Sequence, residues 1–320
     1  MYTAIDGREA ISVSVDGLSL RGTYHTVEGC ERTAAKPGGK ANGVGLLFLN
    51  PGFTPRAALG DSAVYWCDSL ARDGYPCFRF DLPGLGDSDG YAPDQLLDFI
   101  NKGGFATAVS SLVKALVERY SLAGIIVVGH CAGAVTALFS ATLTKECAGL
   151  VLTDPYFFLP RDRTKLRIEL SNWSSWSRAG ALVSSTYYLL RHIRLLIGRD
   201  RPPRNANLPL LRAWNQLSSA GLPMLVLKAP ALKSRGLKPR IGEFDYLGYL
   251  KSMASPRSRV SVQLIEGTNH SFADRKGRAA VRENIEEWLS SQFARPARAV
   301  LAERTAPVAR AGAYEAVLPR

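Results

Sequence analysis

The sequence predicts an α/β fold in which a doubly wound, mostly parallel sheet carries helices on both faces. Three observations predict it: short apolar runs recur along the chain, helical patterns separate them, and a glycine-flanked turn joins the third run to the next helix. The runs occupy residues 44–49, 76–81, 125–128, 148–153, 224–227 and 260–265. Continuous apolar runs are typical of parallel strands that are buried on both faces. Their alternation with helices indicates right-handed crossovers.

The chain begins with a predicted antiparallel hairpin. Residues 11–15 alternate apolar and polar side chains, Asp16-Gly17 is a turn signal, and residues 18–25 continue the alternation. Apolar residues at helical spacing then predict the helices. These lie at residues 61–72, 105–120, 132–144 and 276–293.

The connection between the fourth and fifth apolar runs is too long for a simple crossover. We interpret it as a helical lid, residues 155–222, inserted after the sixth strand of the sheet. The core is then formed by an N-terminal part, residues 1–154, and a C-terminal part, residues 223–293. The Ala-, Arg- and Pro-rich residues 294–320 predict a poorly ordered tail.

Composition narrows the class of protein. With 320 residues, 46% of them hydrophobic, the chain can bury one large core. Its net charge of +12 is not accompanied by a nucleic-acid motif, so we expect no nucleic-acid partner. Five irregularly spaced cysteines argue against a disulfide framework and a zinc site. With no secretory leader and no long apolar segment, we expect a cytoplasmic protein without a membrane span, of undetermined oligomeric state.

The strongest chemical signal is a glycine-flanked cysteine. Gly129-His-Cys131-Ala-Gly133 lies between an apolar run and a helix, and it matches the G-x-S-x-G nucleophile elbow with cysteine in place of serine. The following helix N-terminus favours a thiolate. We therefore predict Cys131 as the nucleophile and the Ala132 amide as an oxyanion donor. The alternative is a small cysteine in an ordinary tight turn.

Two further segments supply partners for this cysteine. Asn50-Pro-Gly-Phe53 follows the first apolar run, so the Phe53 amide is the candidate for a second oxyanion donor, although a simple Pro-Gly turn is the alternative. Of the four histidines, only His270 follows the last run and precedes the C-terminal helix. That is the place of the general base in the chain order nucleophile, acid, base.

The acid is less clearly marked. The usual Gly-x-x-Asp is absent after the fifth run, and the first acidic residues there are Glu243 and Asp245, which we prefer. Both can instead be N-terminal charges of a helix. Asp154, at the end of the fourth run, is a third candidate. A Cys–His pair can also act without a strong acid, because a thiolate forms more easily than an alkoxide.

A glycine-rich loop, residues 81–90, follows the second run with the pattern D-x-x-G-x-G-x-S-x-G. Its glycines permit a tight excursion close to the predicted site. Phosphate binding is disfavoured because the loop lacks the Lys-Ser/Thr pair of a P-loop. No cofactor and no metal is expected.

Together these motifs resemble the α/β-hydrolase superfamily, in its serine aminopeptidase-like group, over about residues 11–293. Residues 129–133, 152–156 and 267–272 resemble, more narrowly, the exosortase A system-associated hydrolases. The resemblance implies an α/β-hydrolase fold and a Cys–His–acid site, with Cys131 and His270 at the matching positions. The chain departs from the family pattern after the fifth run, where a longer stretch replaces the family's Asp.

Three functions follow as hypotheses. The first is hydrolysis of an ester or thioester through an acyl-cysteine intermediate, and the second is acyl transfer at the same site. The third is a non-catalytic binding protein with a degraded acid position. The substrate of either enzyme would be a small-molecule or carrier-bound acyl group. Arg191 and Arg194 in the predicted lid suggest an anionic substrate, the alternative being a solvated helix face.

Overall fold

The computed structural model describes residues 7–26, 42–159, 202–230 and 245–293, and its centre is one sheet. The strands are β1 (Arg8–Val15), β2 (Leu18–His25), β3 (Asn42–Phe48), β4 (Cys77–Phe80), β5 (Leu122–His130), β6 (Cys147–Thr153), β7 (Met224–Lys228) and β8 (Val260–Leu264). They are ordered β1-β2-β4-β3-β5-β6-β7-β8. The β1–β2 and β2–β4 pairs are antiparallel and the remaining five pairs are parallel. The sequence predicted the β1–β2 hairpin and the mostly parallel sheet, but not the antiparallel β2–β4 pair.

Helices cover both faces of this sheet. They are α1 (Ser62–Arg72), α2 (Leu96–Asn101), α3 (Ala106–Tyr120), α4 (Ala132–Ala141), α5 (Leu208–Ser219), α6 (Tyr246–Ser252) and α7 (Arg275–Gln292). On β5, Val127 belongs to the apolar core shared with α3, α4 and α5, whereas Val128 belongs to the core shared with α1 and α7. Successive side chains of a strand point to opposite faces, so a central strand between two helical layers is apolar throughout.

The last apolar run behaves differently from the others. β8 is the edge strand beyond β7, and its Val262 and Leu264 side chains are 46% and 59% exposed. Its predicted burial on both faces was therefore wrong. An apolar run alone does not distinguish an interior strand from an edge strand, because that difference depends on strand order.

Most of the predicted lid and the whole predicted tail lie outside the described residues. Of the lid the structure describes residues 155–159 and 202–222. Within them, the Trp214 ring of α5 packs edge-on against Phe157 with centroids 5.5 Å apart. In the described part of the chain no helix is both long and apolar enough to cross a membrane.

Candidate active site

A sharp turn at Cys131 joins β5 to α4. Its backbone angles, φ 51° and ψ −111°, lie in a region that non-glycine residues rarely adopt. The Cys131 amide donates to the Thr153 carbonyl at 3.0 Å, and the Cys131 carbonyl accepts from the Ala134 amide at 3.1 Å. These bonds tie the turn to the end of β6 and to the first turn of α4. They hold a half-buried thiol at the carboxyl edge of the parallel strands.

Both glycines of the G-x-C-x-G motif are required by close backbone contacts. A Cβ atom on Gly129 would lie 2.3 Å from the Gly133 carbonyl oxygen, and one on Gly133 would lie 2.8 Å from the Asn50 carbonyl oxygen. Either contact is too short for a real side chain. The motif therefore lets the strand, the helix and the loop after β3 meet around Cys131.

His270 reaches the cysteine from the loop between β8 and α7. Its Nδ1 atom contacts Asp154 Oδ2, and its ring lies beside the Cys131 side chain. The hydrogen bond to Asp154, followed by the neighbouring Cys131 side chain, raises the pKa of His270 to about 10. The ring is consequently protonated at neutral pH, beside the thiol and half exposed.

Asp154 stands directly after β6 in a left-handed conformation, with φ 47°. Its amide donates to the Leu227 carbonyl at 2.7 Å, and its carboxylate contacts both His270 and Lys228, the last residue of β7. Burial acts to raise the pKa of Asp154, but the hydrogen bonds and positive charges of His270 and Lys228 outweigh it and lower that pKa. Asp154 is therefore an ionised partner of His270.

The two preferred acid candidates are placed otherwise. Asp245 is the N-cap of α6, where its Oδ1 accepts from the Gly248 amide at 2.9 Å. This is the helix-terminus role that its sequence also allowed. Glu243 lies outside the described residues. Of the two candidates that the structure describes, Asp154 is the one that it brings to His270.

His130, next to the nucleophile, packs against the candidate base. Its ring centroid is 5.0 Å from that of His270, and its Nδ1 lies 3.1 Å from Thr153 Oγ1. Burial, and then the charge of His270, lowers the pKa of His130 to about 4. A neutral ring therefore packs, tilted by 42°, against the protonated one.

The two candidate oxyanion donors belong to adjacent backbone segments. Gly52 has φ 67°, and a Cβ atom there would lie 3.8 Å from the Ala132 Cβ, so the Gly52-Phe53 turn runs beside the start of α4. Ala132 is the first residue of α4, and the first amides of a helix have no intrahelical acceptor. The Phe53 side chain is mostly exposed.

The start of the glycine-rich loop, residues 81–90, is hydrogen-bonded to the segment that contains the Gly52-Phe53 turn. The fully buried Asp81 carboxylate accepts from Asn50 Nδ2 at 2.9 Å and from the Arg56 amide at 2.8 Å, and it contacts the Arg56 guanidinium. Asn50 Oδ1 in turn accepts from the Leu82 amide at 2.9 Å. A Cβ atom on Gly86 would lie 2.3 Å from the Asp81 carboxylate, which explains one glycine of the loop.

Aromatic side chains border the site where β6 ends. Burial, and then the charge of Cys131, raises the pKa of Tyr156 to about 12. The Tyr156 ring lies 5.6 Å from that of Phe158, which is 45% exposed. Among the described residues, no group of three or more His, Cys, Asp or Glu side chains is placed to hold a metal ion.

Comparison with known proteins gives the same architecture. The model of a family described as the alpha/beta hydrolase family matches residues 46–283. The Pyrococcus furiosus esterase PF2001 superposes with a TM-score of 0.55 at 15% identity, over 90% of this chain and 92% of that chain. The alpha/beta hydrolase GrgF from Penicillium sp. sh18 gives 0.56 at 16% identity, over 89% and 99%.

A third solved structure, Est1E from Butyrivibrio proteoclasticus with ferulic acid bound, gives a TM-score of 0.52 at 14% identity, over 88% of this chain and 99% of that chain. No curated protein matches the chain significantly by sequence. At these identities the structural matches show a shared fold. The prediction of an α/β-hydrolase fold is confirmed.

Proposed function

Because the chain belongs to the alpha/beta hydrolase family, we propose that it cleaves an ester or thioester through a covalent acyl intermediate on Cys131. The match to that family confirms the sequence-based prediction that the protein is an enzyme of the hydrolase type. One observation carries the finer proposal: the thiol on the strained turn lies beside a histidine whose Nδ1 contacts the Asp154 carboxylate. This is the relation of nucleophile, base and orienting group that covalent acyl transfer requires.

In the first half of the proposed reaction, protonated His270 stabilises the Cys131 thiolate. The sulfur adds to the acyl carbonyl carbon, and the resulting oxyanion accepts hydrogen bonds from the Phe53 and Ala132 amides. His270 then gives its proton to the departing alkoxide or thiolate as the bond to the leaving group breaks. An acyl-cysteine thioester and a neutral His270 remain.

In the second half, neutral His270 removes a proton from a water molecule as its oxygen adds to the acyl carbon. The carbon–sulfur bond breaks, the carboxylic acid is released and Cys131 returns as a thiolate beside protonated His270. Asp154 stabilises the positive ring in both halves and holds its orientation.

Acyl transfer to an alcohol or an amine is the second candidate, because an acyl-cysteine thioester exchanges readily with such acceptors. The contact between Asp154 and His270 favours either enzyme over a binding protein with a degraded acid. The aromatic border at Tyr156 and Phe158 favours an apolar acyl group. We further propose a small-molecule or carrier-bound substrate, neutral or anionic, in the cytoplasm, and kinship with the exosortase A system-associated hydrolases.

The proposal is tested with nitrophenyl esters and acyl-CoA thioesters of increasing chain length, followed by intact-mass analysis. We expect wild type to gain the mass of one acyl group and to release free acid, and Cys131→Ala to do neither. Cys147→Ala is the matched control, because it removes a buried thiol from the first residue of β6, whereas Asp154 follows the last residue of that strand. Full turnover by Cys131→Ala would refute the proposal, and acyl products formed only with an added alcohol or amine would favour transfer.

A further inference from the structure

Lys228 lies where two strands and the candidate acid meet. It is the last residue of β7, and its Nζ atom forms an ion pair with Asp154 Oδ1, the oxygen that His270 does not use. The side chains of Lys228 and Asp154 are 31% and 12% exposed. One carboxylate thus receives two cations, one on each oxygen, from different elements of the fold.

The backbone around this pair is closely connected. The Asp154 amide donates to the Leu227 carbonyl at 2.7 Å, and the Lys228 carbonyl accepts from the Ile265 amide at 2.9 Å. The ends of β6, β7 and β8 are therefore joined at the level of the ion pair. These bonds restrict the backbone of Lys228. Its ammonium group contacts the carboxylate of Asp154, a residue whose left-handed backbone conformation is strained.

We propose that Lys228 is a positioning residue that holds Asp154 in the orientation that His270 needs. This inference rests on the proposed Cys131–His270–Asp154 site. An acid placed after β6 can rotate about its own χ angles, and a second cation on Oδ1 leaves Oδ2 directed at the imidazole. The lysine stands at the strand end where the sequence pattern led us to expect the acid itself.

The charged and titratable groups around Asp154 predict how loss of the Lys228 ammonium group would change the pH dependence of the reaction. These are His270 from the loop after β8, Lys228 from β7, and His130 and Cys131 at the end of β5. Removal of the ammonium group takes one cation from the carboxylate and lets it rotate. The pKa of Asp154 should then rise, so the acidic limb of the kcat profile should move to higher pH.

The test compares Lys228→Met, Lys228→Arg and Lys251→Met, the last an exposed lysine of α6. Lys228→Met should lower kcat about tenfold, leave KM within about twofold and move the acidic limb upward. Lys228→Arg should restore most of both effects, because it keeps the cation. Lys251→Met should match wild type in kcat, KM and pH profile.

An imidazole ¹H–¹⁵N spectrum supplies a readout that does not depend on turnover. The Nδ1 proton of His270, assigned by its absence in His270→Ala, should exchange faster with water in Lys228→Met and regain protection in Lys228→Arg. A wild-type kcat, pH profile and His270 signal in Lys228→Met would overturn the proposal. A rise in KM for anionic substrates alone would also overturn it and would assign Lys228 to substrate binding. Acyl-cysteine formation by wild type, measured in parallel, shows whether the proposed site itself is correct.

Discussion

Two histidine–aspartate pairs in the described part of the chain look alike and behave in opposite ways. His270 contacts Asp154 through Nδ1 at the candidate site, and His25 contacts Asp68 through Nδ1 at 2.7 Å between β2 and α1. The pKa of His270 is raised to about 10, first by its hydrogen bond to Asp154. The pKa of His25 is lowered to about 4, first by burial and then by the charge of Arg79.

The second ring nitrogen and the burial of the ring explain this difference. Nε2 of His25 accepts a hydrogen bond from Arg79 Nε at 2.8 Å, so this nitrogen cannot also carry a proton. The His25 side chain is only 1% exposed, so water cannot stabilise a charged ring. The ring of His270 is half exposed and faces the Cys131 thiol, whose negative form stabilises its proton. A carboxylate beside a histidine therefore does not identify a catalytic base by itself.

Replacement of the two histidines should separate chemistry from stability. His270→Ala should lower kcat/KM for a nitrophenyl ester by about two to four orders of magnitude, as loss of a general base usually does. Its melting temperature should fall only modestly, because the ring is half exposed and solvent screening limits the stability that its contact with Asp154 contributes. His25→Ala, assayed where it remains folded, should keep kcat/KM within about threefold. Equal losses of activity in both variants would remove the distinction.

The thiols beside the two pairs should differ in reactivity by about a hundredfold. Cys131 is partly exposed next to protonated His270, whereas Cys67 and Cys77 are buried near Arg79. Burial raises the pKa of Cys77 well above its usual value and that of Cys147 to about 12. Iodoacetamide at pH 7 followed by peptide mapping should therefore modify Cys131 first among these four. Faster labelling of Cys67 or Cys147 would contradict the assignment of the nucleophile.

Loss of the carboxylate should affect activity at one pair only. Asp154→Asn keeps the shape but removes the charge that stabilises protonated His270, so kcat/KM should fall about 10- to 100-fold. Asp68→Asn should leave kcat/KM nearly unchanged and lower the melting temperature. Asp245→Asn should cost about 1 kcal/mol or less as a weakened helix cap, without loss of activity. If Asp245→Asn alone impairs turnover, the acid lies after β7 as the sequence first indicated.

The pairs should also contribute to stability in opposite directions with pH. The pKa of His25 is about 4 in the folded protein against an ordinary value of 6.5, so its contribution is present above pH 6.5 and is lost as the pH falls from 6.5 to 4. The pKa of His270 is about 10, so its contribution is present below pH 6.5 and is lost as the pH rises to 10.

Urea unfolding of wild type and His25→Ala at pH 7, 5.5 and 4 measures the acidic side. The variant should lose less stability on acidification, by an amount on the order of 3 kcal/mol or less. His130 is a second neutral histidine with a pKa lowered to about 4, so part of the decline should persist in the variant. Identical slopes for the two proteins would show that His25 is not held neutral.

The turn at Cys131 and the place of His270 could be predicted because both are marked locally. The elbow needs glycine at residues 129 and 133 where backbones approach, and the histidine follows the last apolar run. The contact of Lys228 with Asp154 could not be predicted, since a lysine at a strand end is indistinguishable in sequence from an ordinary surface charge. Asp154 was marked in the sequence by its position at the end of a parallel strand. That position competed with the segment after β7, where the acid was expected.

The sequence by itself determined the doubly wound sheet, the helices that cover it and the strained turn at Cys131, because apolar periodicity and glycine requirements act over a few neighbouring residues. Only the tertiary structure decided that Asp154 meets His270 and Lys228, that Asp245 caps α6, and that β8 is an exposed edge. Those outcomes depend on strand order and register, which bring together residues as far apart as 154 and 270. The charge of each histidine is set by the groups that this arrangement places on its two nitrogens.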